Sequence, residues 1–81
     1  MKASSVRKLA SDRTVLELER AIEAIVEREA DEHGVDGEDL GEKLTHLMLA
    51  MRIRARVDAG EDPGAAFRAE MAAVRDILKN D

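Results

Sequence analysis

The 81-residue sequence predicts an all-α domain of three helices joined by short loops. Ala, Leu, Glu and Arg, which favour helices, are abundant, whereas aromatic residues make up 1% of the chain and strand-favouring types are sparse. Apolar residues recur three and four positions apart in three segments, which is the spacing of a helix face. These segments are separated by residues that begin or end helices, namely Gly34, Gly60 and the pair Asp62-Pro63.

The first ten residues are expected to form a basic, flexible arm that precedes a single three-helix domain at residues 11–81. The arm has no strong periodicity, although a short helical turn around Val6 and Leu9 would fit its sequence. The net charge is +3 over residues 1–13 and −8 over the remaining residues. A basic arm of this kind can contact an acidic partner or nucleic acid, although most such arms are solvated tails.

The first helix is predicted over residues 11–33 and has one apolar face. Ser11 is a good N-cap residue, and Gly34 supplies the left-handed conformation that commonly follows a helix. The face is defined by five residues at helical spacing, which are Val15, Leu18, Ile22, Ile25 and Val26.

The second helix is predicted over residues 36–59, with Asp36 as its N-cap and Gly60 at its end. It carries two rows of apolar residues instead of one. At about 100° per residue these rows lie on nearly opposite sides, so the second helix should be central and two-faced. The first seam is Leu40, Leu44, Leu47, Met48 and Met51, continued by Ala55, and the second seam is Leu49, Ile53 and Val57.

The third helix is predicted over residues 62–80, with Asp62 as N-cap and Pro63 at the first helical position. Its apolar stripe is Phe67, Met71, Val74, Ile77 and Leu78.

Two arrangements of these helices fit the pattern. The outer helices could cover the two seams from opposite sides. Alternatively, the three helices could close on the first seam and leave the second seam to a partner or a second protomer. The sequence favours the second arrangement, because small three-helix domains usually close on themselves, and it leaves the first open.

The composition argues against several classes of function. The absence of Cys excludes disulfides and thiolate metal sites. A single aromatic residue, Phe67, and a net charge of −5 argue against nucleic-acid binding by the folded body. No apolar run approaches the ~18 residues of a membrane span, and no signal peptide is visible. We therefore expect a cytoplasmic protein without membrane contact.

No group of residues specifies a chemistry. Glu42 and His46 stand four residues apart on one helix face, but a zinc site needs three or four ligands and the second histidine, His33, ends another helix. The carboxylates follow solvent faces at helical spacing, and no pair occupies an evident apolar site. We expect no metal, no cofactor and no enzymatic activity.

The expected function is therefore non-catalytic, regulatory protein binding. The second seam would form a partner surface bordered by arginines, and methionines would shape a neighbouring groove, as methionine does on adaptable binding surfaces. Two alternatives remain, a homo-oligomeric assembly or adaptor module and a small antitoxin-like nucleic-acid regulator that uses the basic arm. The predicted partner-binding residues are Met48, Leu49, Met51, Arg52, Ile53, Arg56 and Val57.

The acidic first helix, from Glu17 to Glu32, and the apolar helix from Leu40 to Val57 resemble those of small helical antiactivators of mobile genetic elements. The likeness is to the QseM-type quorum-sensing antiactivators of rhizobial symbiosis islands. It covers the whole chain in size, acidity and helical pattern, and it transfers no site residue. The resemblance implies that the protein sequesters a transcriptional activator and thereby restrains conjugative transfer genes.

Overall fold

The computed structural model describes residues 2–31 and 33–79 and the side chains up to residue 76, so the predicted stripe positions Ile77 and Leu78 lie outside the described side chains. Over these residues the chain forms four helices and no strand. The all-α prediction is confirmed, whereas the prediction of three helices is wrong because a further helix occupies the segment expected to be an arm. The helices are α1 (Ala3–Asp12), α2 (Val15–Arg28), α3 (Leu40–Asp58) and α4 (Pro63–Lys79).

Helix α1 depends on contacts with the rest of the domain. It has ten residues and no side-chain cap at its first turn, and an isolated helix of that length is marginal in water. Val6 and Ala10 are buried and share one apolar cluster with Leu49 and Ile53 of α3. The backbone N–H of Lys2 also donates to His46 of α3. Tertiary packing therefore stabilises α1, which the local sequence pattern does not predict.

Helix α2 begins three residues later than predicted. Ser11 lies inside α1, and the N-cap of α2 is Thr14, whose hydroxyl accepts from the backbone N–H of Glu17 at 3.1 Å. The Glu17 carboxylate accepts in turn from the backbone N–H of Thr14 at 2.9 Å. This capping box satisfies two helix-end donors reciprocally. The helix ends at Arg28, where Glu29 adopts a left-handed conformation, and not at Gly34.

The loop between α2 and α3 is longer than predicted, because α2 ends early at Arg28 and because Asp36 does not cap α3. Asp39 is the N-cap, and its carboxylate accepts from the backbone N–H of Glu42 at 2.8 Å. Asp36 instead accepts a hydrogen bond from the Ser5 hydroxyl of α1. The last helix begins at Pro63, as predicted, with the Asp62 carboxylate accepting from the backbone N–H of Ala65.

Helix α3 lies at the centre of the domain and packs against α1, α2 and α4. The domain is thin, with principal extents of 32 × 31 × 19 Å. Leu47 of the first seam and Leu49 and Ile53 of the second seam are all buried. Both seams therefore contribute to the intramolecular core. The arrangement favoured from the sequence, which left the second seam to a partner, is wrong, because other helices cover the two seams from different sides.

Asp31 closes the loop onto α3. Both of its carboxylate oxygens accept from the backbone N–H of Val35, at 3.1 and 2.9 Å, and Lys43 Nζ lies 3.0 Å from Oδ2. Burial by itself raises the pKa of Asp31, but the hydrogen bonds from Val35 and Lys43 lower it more, so that the pKa lies below its ordinary value.

We expect Asp31→Asn to lower the melting temperature most at neutral pH. Charged hydrogen bonds contribute about 1.5–3 kcal/mol each, and the stabilisation from a lowered pKa is complete above the unfolded pKa of about 4. It is lost as the pH falls through the lower folded pKa, so the wild-type and variant melting temperatures should converge in acid. Asp12→Asn, which removes the same charge from an exposed side chain, is the control. A constant difference from pH 7 to pH 2 would contradict this assignment.

Candidate partner-binding surface

The seven predicted partner-binding residues do not lie on one surface. Leu49 and Ile53 are 5% and 3% exposed and belong to the core. Met51 and Val57 are half-buried against that core. A partner cannot reach the buried pair while α1 is in place, so an acidic substitution at Leu49 or Ile53 would test folding and not binding.

The accessible part of α3 is a strip that we call the outer face, defined by Thr45, Met48, Arg52 and Ala55. These residues follow one another at spacings of three and four, which places them on one side of the helix, and all four are exposed. Met48 is 50% exposed and lies near the middle of the strip. The half-buried residues Leu44 and Met51 border it in the helical projection. The outer face therefore has the apolar side chain of Met48 at its centre and the cation of Arg52 one helical turn away.

The two arginines predicted to border a partner surface both contact Glu70 of α4. Arg56 Nε donates to Glu70 Oε1 at 2.8 Å, and Arg52 Nε lies 3.1 Å from Oε2. The second contact is an ion pair without hydrogen-bond geometry, because Oε2 accepts no hydrogen bond from the described residues. The carboxylate itself is buried. The arginines thus neutralise a buried charge that fastens α4 to α3.

The hydrogen bond from Arg56 to Glu70, together with the nearby carboxylate of Glu61, raises the pKa of Arg56 above its ordinary value. Sequence reasoning missed Glu70, although a signal was present. Glu70 stands three residues after Phe67 and four before Val74, and this spacing puts a carboxylate beside the apolar stripe of α4. A charge at such a position usually needs a partner when the stripe is buried.

The His46 side chain is buried and hydrogen-bonded to two other segments of the chain, so it is not accessible as a metal ligand. Its Nδ1 lies 2.7 Å from the Asp36 carbonyl oxygen, to which an N–H must donate, and its Nε2 accepts from the Lys2 backbone N–H at 3.1 Å. Both ring nitrogens are occupied, and the ring is the neutral tautomer that carries its proton on Nδ1. Across the described residues, no group of three or more His, Cys, Asp or Glu side chains could hold a metal ion.

Two clefts flank α1. The larger has a volume of about 410 Å³ and lies between α1 and the loop at residues 33–36, where Lys8, Asp12 and Asp36 give it mixed charge. The smaller has a volume of about 270 Å³ and lies between α1, the end of α3 and the start of α4. The Ser5 hydroxyl and the Asp36 carboxylate, which are hydrogen-bonded to each other, both line the larger cleft.

Comparison with known proteins identifies a family for this chain but assigns it no function. The chain matches no curated protein and no solved structure. No helix in the described part of the chain is long and apolar enough to cross a membrane. A family of unknown function, DUF6952, matches residues 1–79. Because that match spans nearly all 81 residues, the chain belongs to the DUF6952 family.

Proposed function

We propose that this protein is a non-catalytic regulatory domain that binds another protein through the outer face of α3. The observation that carries the proposal is Met48, which is half exposed at the centre of this face although its neighbours Leu47, Leu49 and Ala50 are buried in the core. Flexible methionine side chains suit surfaces that must fit a partner helix or extended segment.

Within this proposal, Met48 and Arg52 make direct contact with the partner, and Met51 forms the half-buried edge beneath them. The Arg52 side chain is 58% exposed, so its guanidinium can meet a partner while its Nε faces Glu70. The orientation of α3 is fixed by residues on its core side, which are Leu49, Ile53 and Val57. The partner-binding prediction is thereby narrowed to one side of α3.

We propose a transcriptional activator as the partner, which the domain would sequester as an antiactivator. Support comes from the sequence resemblance to QseM-type antiactivators and from the net charge of −5. An acidic domain is repelled by DNA but can bind the basic surface of a DNA-binding protein.

Met48→Asp should abolish partner capture without unfolding the domain. Burying a large apolar side chain in an interface contributes about 1.5–3 kcal/mol, so we expect affinity to fall at least about tenfold. The test is quantitative capture of proteins from the source cell by the tagged full chain, followed by titration of the retained protein and a reporter for its transcriptional activity. Leu16→Asp is the matched control, since Leu16 of α2 is 54% exposed and receives the same substitution.

The proposal requires a protein that wild type and Leu16→Asp retain and Met48→Asp loses. Equal retention by all three chains would refute the outer face as a binding surface. A captured protein that does not affect transcription would refute the antiactivator role alone. If the chain captures only itself, and Met48→Asp converts a dimer to a monomer in sedimentation analysis, then the face serves homo-oligomeric assembly instead.

A further inference from the structure

We propose that the 270 Å³ cleft between α1, α3 and α4 binds a small apolar carboxylate, with the apolar body of the ligand on α3 and α4 and its carboxylate on Arg7. Apolar side chains from two helices meet there. They are Ile53 and Val57 of α3 and Pro63 and Phe67 of α4. Helix α1 closes the remaining side, so the cleft exists only in the four-helix fold.

The charge lining the cleft is positive in a chain that is otherwise acidic. Arg7 and Arg54 are the two charged residues along its wall, and no carboxylate lines it. Arg54 is compensated, because its Nε lies 3.0 Å from Asp58 Oδ1, and its Nη1 donates to the Ala10 carbonyl oxygen at 3.3 Å. One positive charge therefore remains to attract an anion.

That remaining charge belongs to Arg7. Its guanidinium carbon lies 4.2 Å from the centroid of the Phe67 ring, and no carboxylate of the described residues forms an ion pair with it. Contact with the ring face holds the guanidinium beside the cleft, where its N–H groups can donate to a ligand. A planar, prearranged fork of donors matches the two oxygens of a carboxylate.

The size of the cleft limits the ligand. Sites for drug-sized molecules measure roughly 300–1,000 Å³, and this cleft is smaller at about 270 Å³. It fits a molecule about as large as one amino acid with an apolar side chain. Two sources share this chemistry, a free apolar acid and the C-terminal residue of a peptide.

The cleft is independent of the outer face of α3. Val57 follows Met48 by nine residues, and at about 100° per residue the two side chains point in opposite directions. Ligand binding in the cleft can therefore be tested without knowledge of the partner protein, and either proposal can fail alone.

The test uses the full chain labelled with ¹⁵N and the probe N-acetyl-leucine, with amide chemical shifts recorded during titration. N-acetyl-leucinamide keeps the apolar body without the charge, and acetate keeps the charge without the body. We expect the acid to shift the amides of Arg7, Val57 and Phe67, and to bind at least about fivefold more tightly than either control probe. Arg7→Gln should weaken binding of the acid to the level of the amide. Lys8→Gln, which removes one charge from the neighbouring exposed position of α1, should leave it unchanged.

Equal binding of acid and amide would overturn the proposal, as would acetate binding as tightly as the full probe. A loss in Lys8→Gln equal to that in Arg7→Gln would also overturn it, since the effect would then come from net charge. If Arg7→Gln does not fold, the comparison of the three probes on the wild-type chain decides the matter. A peptide ending in leucine that binds more tightly than the free acid assigns the cleft to a peptide terminus, and the reverse order assigns it to a free acid.

Discussion

Replacing Val6 with aspartate should detach α1 and lower the free energy of unfolding by about 3 kcal/mol or more. Val6 is 0% exposed and lies in the apolar core cluster, so the substitution both removes apolar burial and places a carboxylate in apolar surroundings. Native proteins are stable by only about 5–15 kcal/mol, and a domain of this size lies toward the lower end of that range. Urea unfolding followed by circular dichroism measures the loss, and amide exchange of residues in α1 shows whether that helix is released.

The control for this prediction is Ala3→Asp. Ala3 is the first residue of the same helix and is exposed, so the variant adds the same charge to α1 without burying it. We expect its stability to stay within about 0.5 kcal/mol of wild type. If Val6→Asp were equally harmless, residues 1–10 would behave as the flexible arm that the sequence suggested and the four-helix packing would be refuted.

The error over α1 has a physical cause. Between Ala3 and Asp12 the larger apolar residues are only Val6 and Leu9, too few to define a helical stripe by periodicity. The helix forms because α3 offers a second apolar side that must be covered. The doubled seam of α3 was visible in the sequence and predicted a central, two-faced helix, but the favoured arrangement left the second seam uncovered within the domain. That preference was wrong, because Leu49 and Ile53 of the second seam are buried. Which segment provides that cover is a matter of tertiary packing.

Some helix boundaries follow from local sequence, whereas others depend on tertiary contacts. The pattern of Thr14 followed three residues later by Glu17 is a local capping signal, and the start of α2 could have been predicted from it. The start of α3 could not be predicted with equal ease, because Asp36 and Asp39 are both competent caps. Ser5, which is distant in sequence, takes the Asp36 carboxylate and leaves Asp39 to cap the helix.

The candidate surface was predictable only in part. The position of Met48 at the edge of the first seam indicated that it could be accessible, and it is half exposed. The engagement of Arg52 and Arg56 by Glu70 depends on how α4 lies against α3. No local pattern encodes that placement, since 14 residues separate Arg56 from Glu70.

This ion-pair cluster should respond asymmetrically to mutation. The Glu70 carboxylate is 3% exposed, whereas the side chains of Arg52 and Arg56 are 58% and 39% exposed. Removing both arginines, as in Arg52→Gln with Arg56→Gln, leaves a buried carboxylate without a counterion, a situation that costs about 3–5 kcal/mol in buried pairs. Glu70→Gln should cost only about 1 kcal/mol, because the arginines can turn to water and the amide can still accept a hydrogen bond.

The decisive comparison is the triple variant that combines all three substitutions. Once Glu70 is neutral, the penalty of the orphaned charge disappears, so the triple variant should be more stable than the double arginine variant although it carries one more change. Urea unfolding of the four chains measures this as a coupling free energy. Glu61→Gln controls for the exposed pair that Arg56 also makes, at 3.2 Å, and should change stability little because such pairs contribute little. Additive losses across the series would show that Glu70 is solvated and that the cluster does not fasten α4 to α3.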